Sequence, residues 1–107
     1  MDFTTARRNM VENQIRTNRV TNSAIIRAFE EVPREVFVPQ NLASIAYIDE
    51  QLLVAKGRYL LEPMVLAMLL QAARIGPSDV VLEIGCGTGY SSAILANLAS
   101  TVVAIEE

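Results

Sequence analysis

The apolar positions change texture halfway along the chain. Up to about Gly57 they are interleaved with polar residues, and after Leu60 they dominate. In the first zone Met10, Val11, Gln14 and Ile15 recur at helical spacing, with Thr4 or Thr5 placed to cap that helix. A second helix is better marked. Asn22 is a suitable N-cap, Ile25, Ile26, Phe29 and Val32 form an i, i+1, i+4, i+7 stripe, and Pro33 stops it. The stretch between Pro33 and Pro39 reads as an extended connection because prolines bound it. Asn41 to Tyr47 reads as a short helix and Ile48 to Tyr59 as loop.

The second zone alternates helix and strand. Pro63 suits a first helical turn, Met64 to Arg74 carries the helix, and Gly76-Pro77 ends it. Met64, Val65, Leu66, Met68, Leu69 and Leu70 leave little polar face, which predicts burial nearly all round. Val80 to Ile84 is a short β-branched run of the kind found in central parallel strands. It runs into Gly85-Cys86-Gly87-Thr88-Gly89. Tyr90 to Ala99 then has a helical pattern, and Thr101 to Ile105 is a second strand. Strand, glycine turn, helix and strand make a βαβ unit, whose right-handed crossover sets the two strands parallel.

Composition narrows the chemistry. The 107-residue chain is 51% hydrophobic with mean hydropathy +0.30, which excludes disorder and allows a single domain. Nine Lys and Arg against twelve Asp and Glu give a net charge of −3, so a nucleic-acid partner is not expected. One cysteine and no histidine exclude a disulfide framework, a multi-Cys zinc site and a His-based nucleophile-and-base pair. No metal is expected, and any reaction rests on carboxylates, backbone amides or a bound cofactor. The longest apolar stretch, Met64 to Leu70, is far short of the roughly 20 residues that cross a bilayer. Arg7 and Arg8 precede no apolar run. The expectation is a cytoplasmic protein with neither a membrane segment nor a signal peptide.

The glycine turn and an acid beyond it carry most of the functional information. Glycines at 85, 87 and 89 permit a tight turn and close approach of backbone to a ligand. The helix that starts near Tyr90 points free N–H groups and its positive end at the same spot, which favours an anionic ligand group. Glu106 ends the second strand about 20 residues on, where an acid can accept hydrogen bonds from ribose hydroxyls. In a dinucleotide site the third glycine would fall one residue later, where Tyr90 stands. Glu83, just before the turn, would repel a diphosphate yet accept from an ammonium group. A ligand with an amino-acid end and a ribose end fits, and S-adenosyl-L-methionine is such a ligand. Cys86 and Thr88 complete the turn, with Cys86 a small filler rather than a nucleophile.

Val80-Val81-Leu82-Glu83-Ile84-Gly85-Cys86-Gly87-Thr88-Gly89-Tyr90 resembles motif I of class I S-adenosylmethionine-dependent methyltransferases. Upstream stand Met10-Val11-Glu12-Asn13-Gln14-Ile15, Val32-Pro33-Arg34-Glu35-Val36-Phe37-Val38-Pro39 and Ala46-Tyr47-Ile48-Asp49. In that order they resemble the N-terminal half of protein-L-isoaspartate O-methyltransferases. The resemblance implies an α/β fold, with N-terminal helices followed by the first βαβ part of a Rossmann-like class I methyltransferase sheet. Residues 1–61 would form a helical and loop region on the substrate side, and residues 62–107 the first part of the cofactor-binding domain. Glu83, Gly85, Gly87 and Gly89 would line the methionine end of the cofactor, Cys86 and Thr88 would belong to the same cofactor-binding turn, and Glu106 would hold the ribose. The implied activity is methyl transfer to a carboxylate of a protein or peptide carrying isoaspartate.

Two departures from the family pattern bear on that activity. Members carry a segment like G-x-G-Q-T-I-S-Q-P before the buried helix, and here it is Ala55-Lys56-Gly57-Arg58-Tyr59-Leu60-Leu61-Glu62-Pro63. Leu61 stands at the serine position, so the catalytic residue is left unassigned, and Glu62 stands where glutamine would. A leucine cannot donate to a substrate carboxylate and a glutamate would repel one, which points to an alternative acceptor. The family also uses roughly 200 residues for its domain, whereas this sequence stops just after its second strand. An incomplete sheet leaves open edges and an apolar face, so self-association, or a non-catalytic fragment, is the expectation for this chain on its own.

Overall fold

The computed structural model describes residues 2–106. Its N-terminal helix α1 spans Phe3–Met10 and continues without a break through a π turn at Val11–Ile15 and a 3-10 turn at Arg16–Asn18. Asp2, rather than Thr4 or Thr5, caps it, its carboxylate accepting from the Thr4 and Thr5 amides at 3.0 and 3.2 Å. A carboxylate suits the positive end of a helix better than a hydroxyl does. Met10, Val11 and Ile15 are buried as their spacing predicts. Helix α2, Ser23–Glu31, starts at Asn22, whose side chain accepts from the Ala24 and Ile25 amides at 2.9 and 3.1 Å.

Between the prolines the chain is not extended throughout. Val32 and Val38, the residues that precede Pro33 and Pro39, are extended, but Arg34–Phe37 forms a 3-10 turn. The restriction imposed by proline reaches only the residue before it, which leaves the intervening four free to turn. Gln40–Ile45 is a second 3-10 turn where a short helix is expected. The segment expected to be loop holds a hairpin, β1 at Leu52–Ala55 and β2 at Arg58–Leu60, paired antiparallel with a register shift between Leu53 and Ala55.

Helix α3 spans Pro63–Ala73 and ends at Arg74, which is left-handed at φ 54°, two residues before the glycine expected to end it. Gly76 lies in the following turn, its amide donating to the Asp79 carboxylate at 2.7 Å. Gln71 of α3 clamps the loop before α2. Its side-chain oxygen accepts from the Thr21 and Asn22 amides, and its nitrogen donates to the Arg19 carbonyl. Strand β3, Val80–Ile84, pairs parallel with β4, Thr101–Ile105, in the register Val80 to Thr101 through Ile84 to Ile105. Between them lies α4, Tyr90–Ala96, shorter than its apolar pattern, since the chain unwinds into a turn at Asn97. The βαβ unit is as expected.

One apolar cluster joins the N-terminal helices to the βαβ unit and includes Met10, Phe29, Leu66, Leu70, Tyr90 and Ile94. Phe29 meets the Tyr90 ring edge-on at 6.1 Å, and Phe37 meets it tilted at 5.7 Å. At the bottom of this cluster lies Arg34, fully buried. Its Nε donates to the Ala46 carbonyl, its Nη2 to the Leu61 carbonyl at 2.9 Å, and its guanidinium lies 4.9 Å from the centre of the Tyr90 ring. Burial lowers the Arg34 pKa from its ordinary value and raises that of the Tyr90 hydroxyl. The guanidinium meets the Tyr90 ring as a cation over its face, and the Tyr90 hydroxyl makes no hydrogen bond among the described residues. Beside them Tyr47 donates to Glu35 and accepts from the Arg7 Nε and the Arg34 amide. Burial works to raise the Glu35 carboxyl, but the Tyr47 hydroxyl and the Arg7 guanidinium outweigh it and hold the pKa low.

The apolar runs are less covered than their composition predicts. On α3, Leu66, Ala67 and Leu70 are buried while Met68 and Leu69 are exposed. On β3, Val80 is 73% and Ile84 77% exposed. With Leu82, Val103 and Ile105 they form one exposed apolar sheet face, while Val81 and Val102, on the opposite side, pack against the core. An apolar strand is buried on both faces only where both have a layer to pack on. Among the described residues no helix is long and apolar enough to cross a membrane.

Candidate functional site

The turn that follows β3 is built from its ends inward. The Gly85 and Cys86 amides both donate to the Ile105 carbonyl, at 2.7 and 3.4 Å, which ties the turn to the end of β4. These two amides are thereby spent on the protein rather than offered to a ligand. Gly85, Gly87 and Gly89 all have positive φ. Gly89 caps α4 at φ 98°, a conformation that favours glycine, and a Cβ there would make only an ordinary contact with the Phe37 ring at 3.8 Å. Gly89 does not line the cavities described next.

Glu83 sits on the last turn of strand before the glycines. Its carboxylate accepts from the hydroxyls of both Ser91 and Ser92, at the start of α4. Two neutral donors leave a carboxylate with lone pairs to spare, so it can still take an ammonium group. The serines are absent from the sequence reading. Their signal is their position eight and nine residues after the acid, close in space once the turn is folded.

A cavity of about 170 Å³ opens beside this carboxylate. Glu83, Gly85, Cys86, Gly87, Thr88 and Ser91 line one side of it, and Val54, Tyr59, Leu60, Leu61 and Leu66 the other. The hairpin is therefore a wall of the site, which its reading as loop conceals. Leu61 faces the same space as Glu83, whereas Glu62 takes the N-cap position of α3. Cys86 is half-buried and reduced.

Glu106 returns to the turn as the strand spacing predicts. Its Oε2 lies 3.9 Å from where a Cβ on Gly87 would stand. A second cavity, of about 200 Å³, is lined by Val54, Ala55, Arg58, Gly87, Thr88 and Glu106. The structure thus gathers Leu61, Glu83, Gly85, Cys86, Gly87, Thr88 and Glu106 around two adjoining cavities that share Val54, Gly87 and Thr88, a trough with an acid at either end and the glycine turn between them. That donor and acceptor set fits a ligand with an ammonium at one end and a diol at the other. Among the described residues no three His, Cys, Asp or Glu side chains group to hold a metal ion.

Comparison with known proteins agrees with this arrangement. The family model described as protein-L-isoaspartate(D-aspartate) O-methyltransferase matches residues 5–107. A protein-L-isoaspartate O-methyltransferase 2 of Anaeromyxobacter sp. is 41% identical over 95% of this chain and 42% of its own length. A protein-L-isoaspartate O-methyltransferase of Protochlamydia amoebophila is 43% identical over 91% of this chain and 46% of its own. The chain spans about half the length of these curated relatives. A solved protein-L-isoaspartate O-methyltransferase superposes with a TM-score of 0.77 at 28% identity, over 94% of this chain and 33% of that one. A Plasmodium falciparum protein solved with S-adenosyl-L-homocysteine shares the fold, with a TM-score of 0.72 at 17% identity, over 99% of this chain and 49% of that one. With motif I, the V-P-R-E-x-F-V-P segment and the parallel βαβ unit all in place, the chain belongs to the protein-L-isoaspartate (D-aspartate) O-methyltransferase family.

Proposed function

We propose that this chain supplies the S-adenosyl-L-methionine half-site of an O-methyltransferase that acts on a carboxylate of protein or peptide carrying isoaspartate. The observation that carries the reading is the trough with Glu83 at one end, Glu106 at the other and the glycine turn between. Glu83 takes the ammonium of the amino-acid end, Gly87 and Thr88 give the backbone room to approach, and Glu106 accepts from the ribose hydroxyls. The cofactor, when bound, supplies a methyl on a sulfonium, a leaving group that departs as a neutral thioether. A substrate carboxylate is already a nucleophile at neutral pH, so the protein's work is placement and exclusion of water. Residues 62–107 hold the cofactor side of that division and residues 1–61 the acceptor side, with the hairpin at 52–60 standing between them as a wall of the cofactor cavities.

The test is calorimetric titration of the folded 107-residue chain with S-adenosyl-L-homocysteine. One-to-one binding is expected, and Glu106→Ala should weaken it by about 1–3 kcal/mol, the cost of leaving hydroxyls unpaired. Equal affinity in the two proteins would remove Glu106 from the site.

Leu61 favours a second reading, a methyltransferase with another acceptor, because it puts an apolar side chain into the cavity beside Glu83. If isoaspartate is the acceptor, Leu61→Ser should raise the affinity of the S-adenosyl-L-homocysteine-loaded chain for an isoaspartyl peptide by about tenfold, the value of one hydrogen bond to a carboxylate. No gain would favour the other acceptor. The exposed apolar face of β3 and β4 supports self-association of this chain on its own.

A further inference from the structure

We propose that Arg58 latches the ribose end of this trough, so that a nucleoside ligand enters only when the hairpin releases Glu106. The proposal rests on the reading of Glu106 above and adds to it a gate. Arg58 opens β2, and its Nη2 lies 3.5 Å from Glu106 Oε1. The hairpin and the β3–β4 pair are separate sheets, so this ion pair spans a gap that no backbone ladder crosses. Arg58 and Glu106 both line the cavity of about 200 Å³ on the Gly87 side, and both line a neighbouring one of about 280 Å³ on the Ile84 and Gly85 side. The pair therefore stands between the two. Either cavity alone is smaller than the roughly 300–1,000 Å³ of small-molecule sites, and opening the pair joins them.

The hairpin is suited to move. Its ladder shifts register between Leu53 and Ala55, its turn relies on Gly57 at φ 71°, and Leu53 and Tyr59 are exposed rather than anchored. The Arg58 and Glu106 side chains are 47% and 28% exposed, so the pair is weak enough to open on ligand binding and sensitive to salt. A carboxylate oxygen engaged by a guanidinium is a poorer acceptor for a ribose hydroxyl, and the two compete.

The test compares the native chain, Arg58→Gln and Glu106→Gln in two measurements. Without ligand, amide hydrogen exchange of residues 52–60 should quicken severalfold, and equally, in both variants. With S-adenosyl-L-homocysteine, Arg58→Gln should bind about two- to fivefold tighter than the native chain. Added salt should narrow the difference between the two, because it screens the Arg58 pair only in the native chain and the ligand's own ammonium contact in both. Unaltered exchange in Arg58→Gln would overturn the latch. Weaker binding by Arg58→Gln would overturn it too, because Arg58 would then be holding the ligand. Binding by the native chain that survives intact in Glu106→Gln would instead sink the ribose reading, and with it the competition, while the exchange comparison would still decide whether the ion pair holds the hairpin.

Discussion

Arg34→Ala is expected to cost about 3–5 kcal/mol of folding stability, a large share of a total of order 5–15 kcal/mol. The side chain is fully buried, and the described residues give it no carboxylate partner in an ion pair. What compensates the charge is a pair of carbonyls, Ala46 and Leu61, and the face of Tyr90. Truncation removes all three at once. Each carbonyl left without a donor costs about 1–3 kcal/mol, and the space vacated under Tyr90 adds a cavity term. Arg34→Lys should recover less than half of the loss, since a single ammonium cannot reproduce a fork that bonds two carbonyls and stacks on a ring. Urea unfolding followed by circular dichroism measures both. A loss below 1 kcal/mol for Arg34→Ala would mean that water replaces the guanidinium and that Arg34 does not hold the two zones together.

Arg34 also shows where sequence reading reaches its limit. Its segment is visible as a pair of prolines around an apolar run, and it is a mark of the family resemblance. Nothing in the spacing says that the arginine turns inward, because that depends on Ala46, Leu61 and Tyr90, which meet it only in the folded chain. The hairpin is hidden for a different reason. Strands of four and three residues leave too few alternations to register as a period of two. The βαβ unit, by contrast, is legible throughout: a β-branched run, glycines at 85, 87 and 89 and a second β-branched run admit one right-handed arrangement, and the parallel register follows. Apolarity on β3 is read correctly as strand and wrongly as burial. A sequence states that a face is apolar and not what covers it, and here Val80, Leu82 and Ile84 are exposed.

Glu83→Gln should separate the two tasks that the turn asks of one side chain. As a fastener, Glu83 joins β3 to α4 by accepting from Ser91 and Ser92. Glutamine keeps the shape and one accepting oxygen, and a hydroxyl can rotate to accept from its amide nitrogen, so the fold should lose no more than about 1 kcal/mol. As a ligand group, Glu83 meets a cation, and there the charge itself is what counts. A hydrogen bond between charged partners contributes about 1.5–3 kcal/mol, so affinity for S-adenosyl-L-homocysteine should fall about 10- to 150-fold. Glu83→Ala removes both roles and should lower stability further by leaving two hydroxyls without their acceptor. Calorimetry with the ligand, paired with urea unfolding of the same two variants, reads the roles independently. If Glu83→Gln binds as the native chain does, Glu83 is a fastener of α4 alone and the amino-acid end of the trough must be recognised elsewhere. If it folds normally and binds weakly, the acid before the glycines recognises the amino-acid end, and the strand-to-helix hydrogen bonds hold its carboxylate in place for that task.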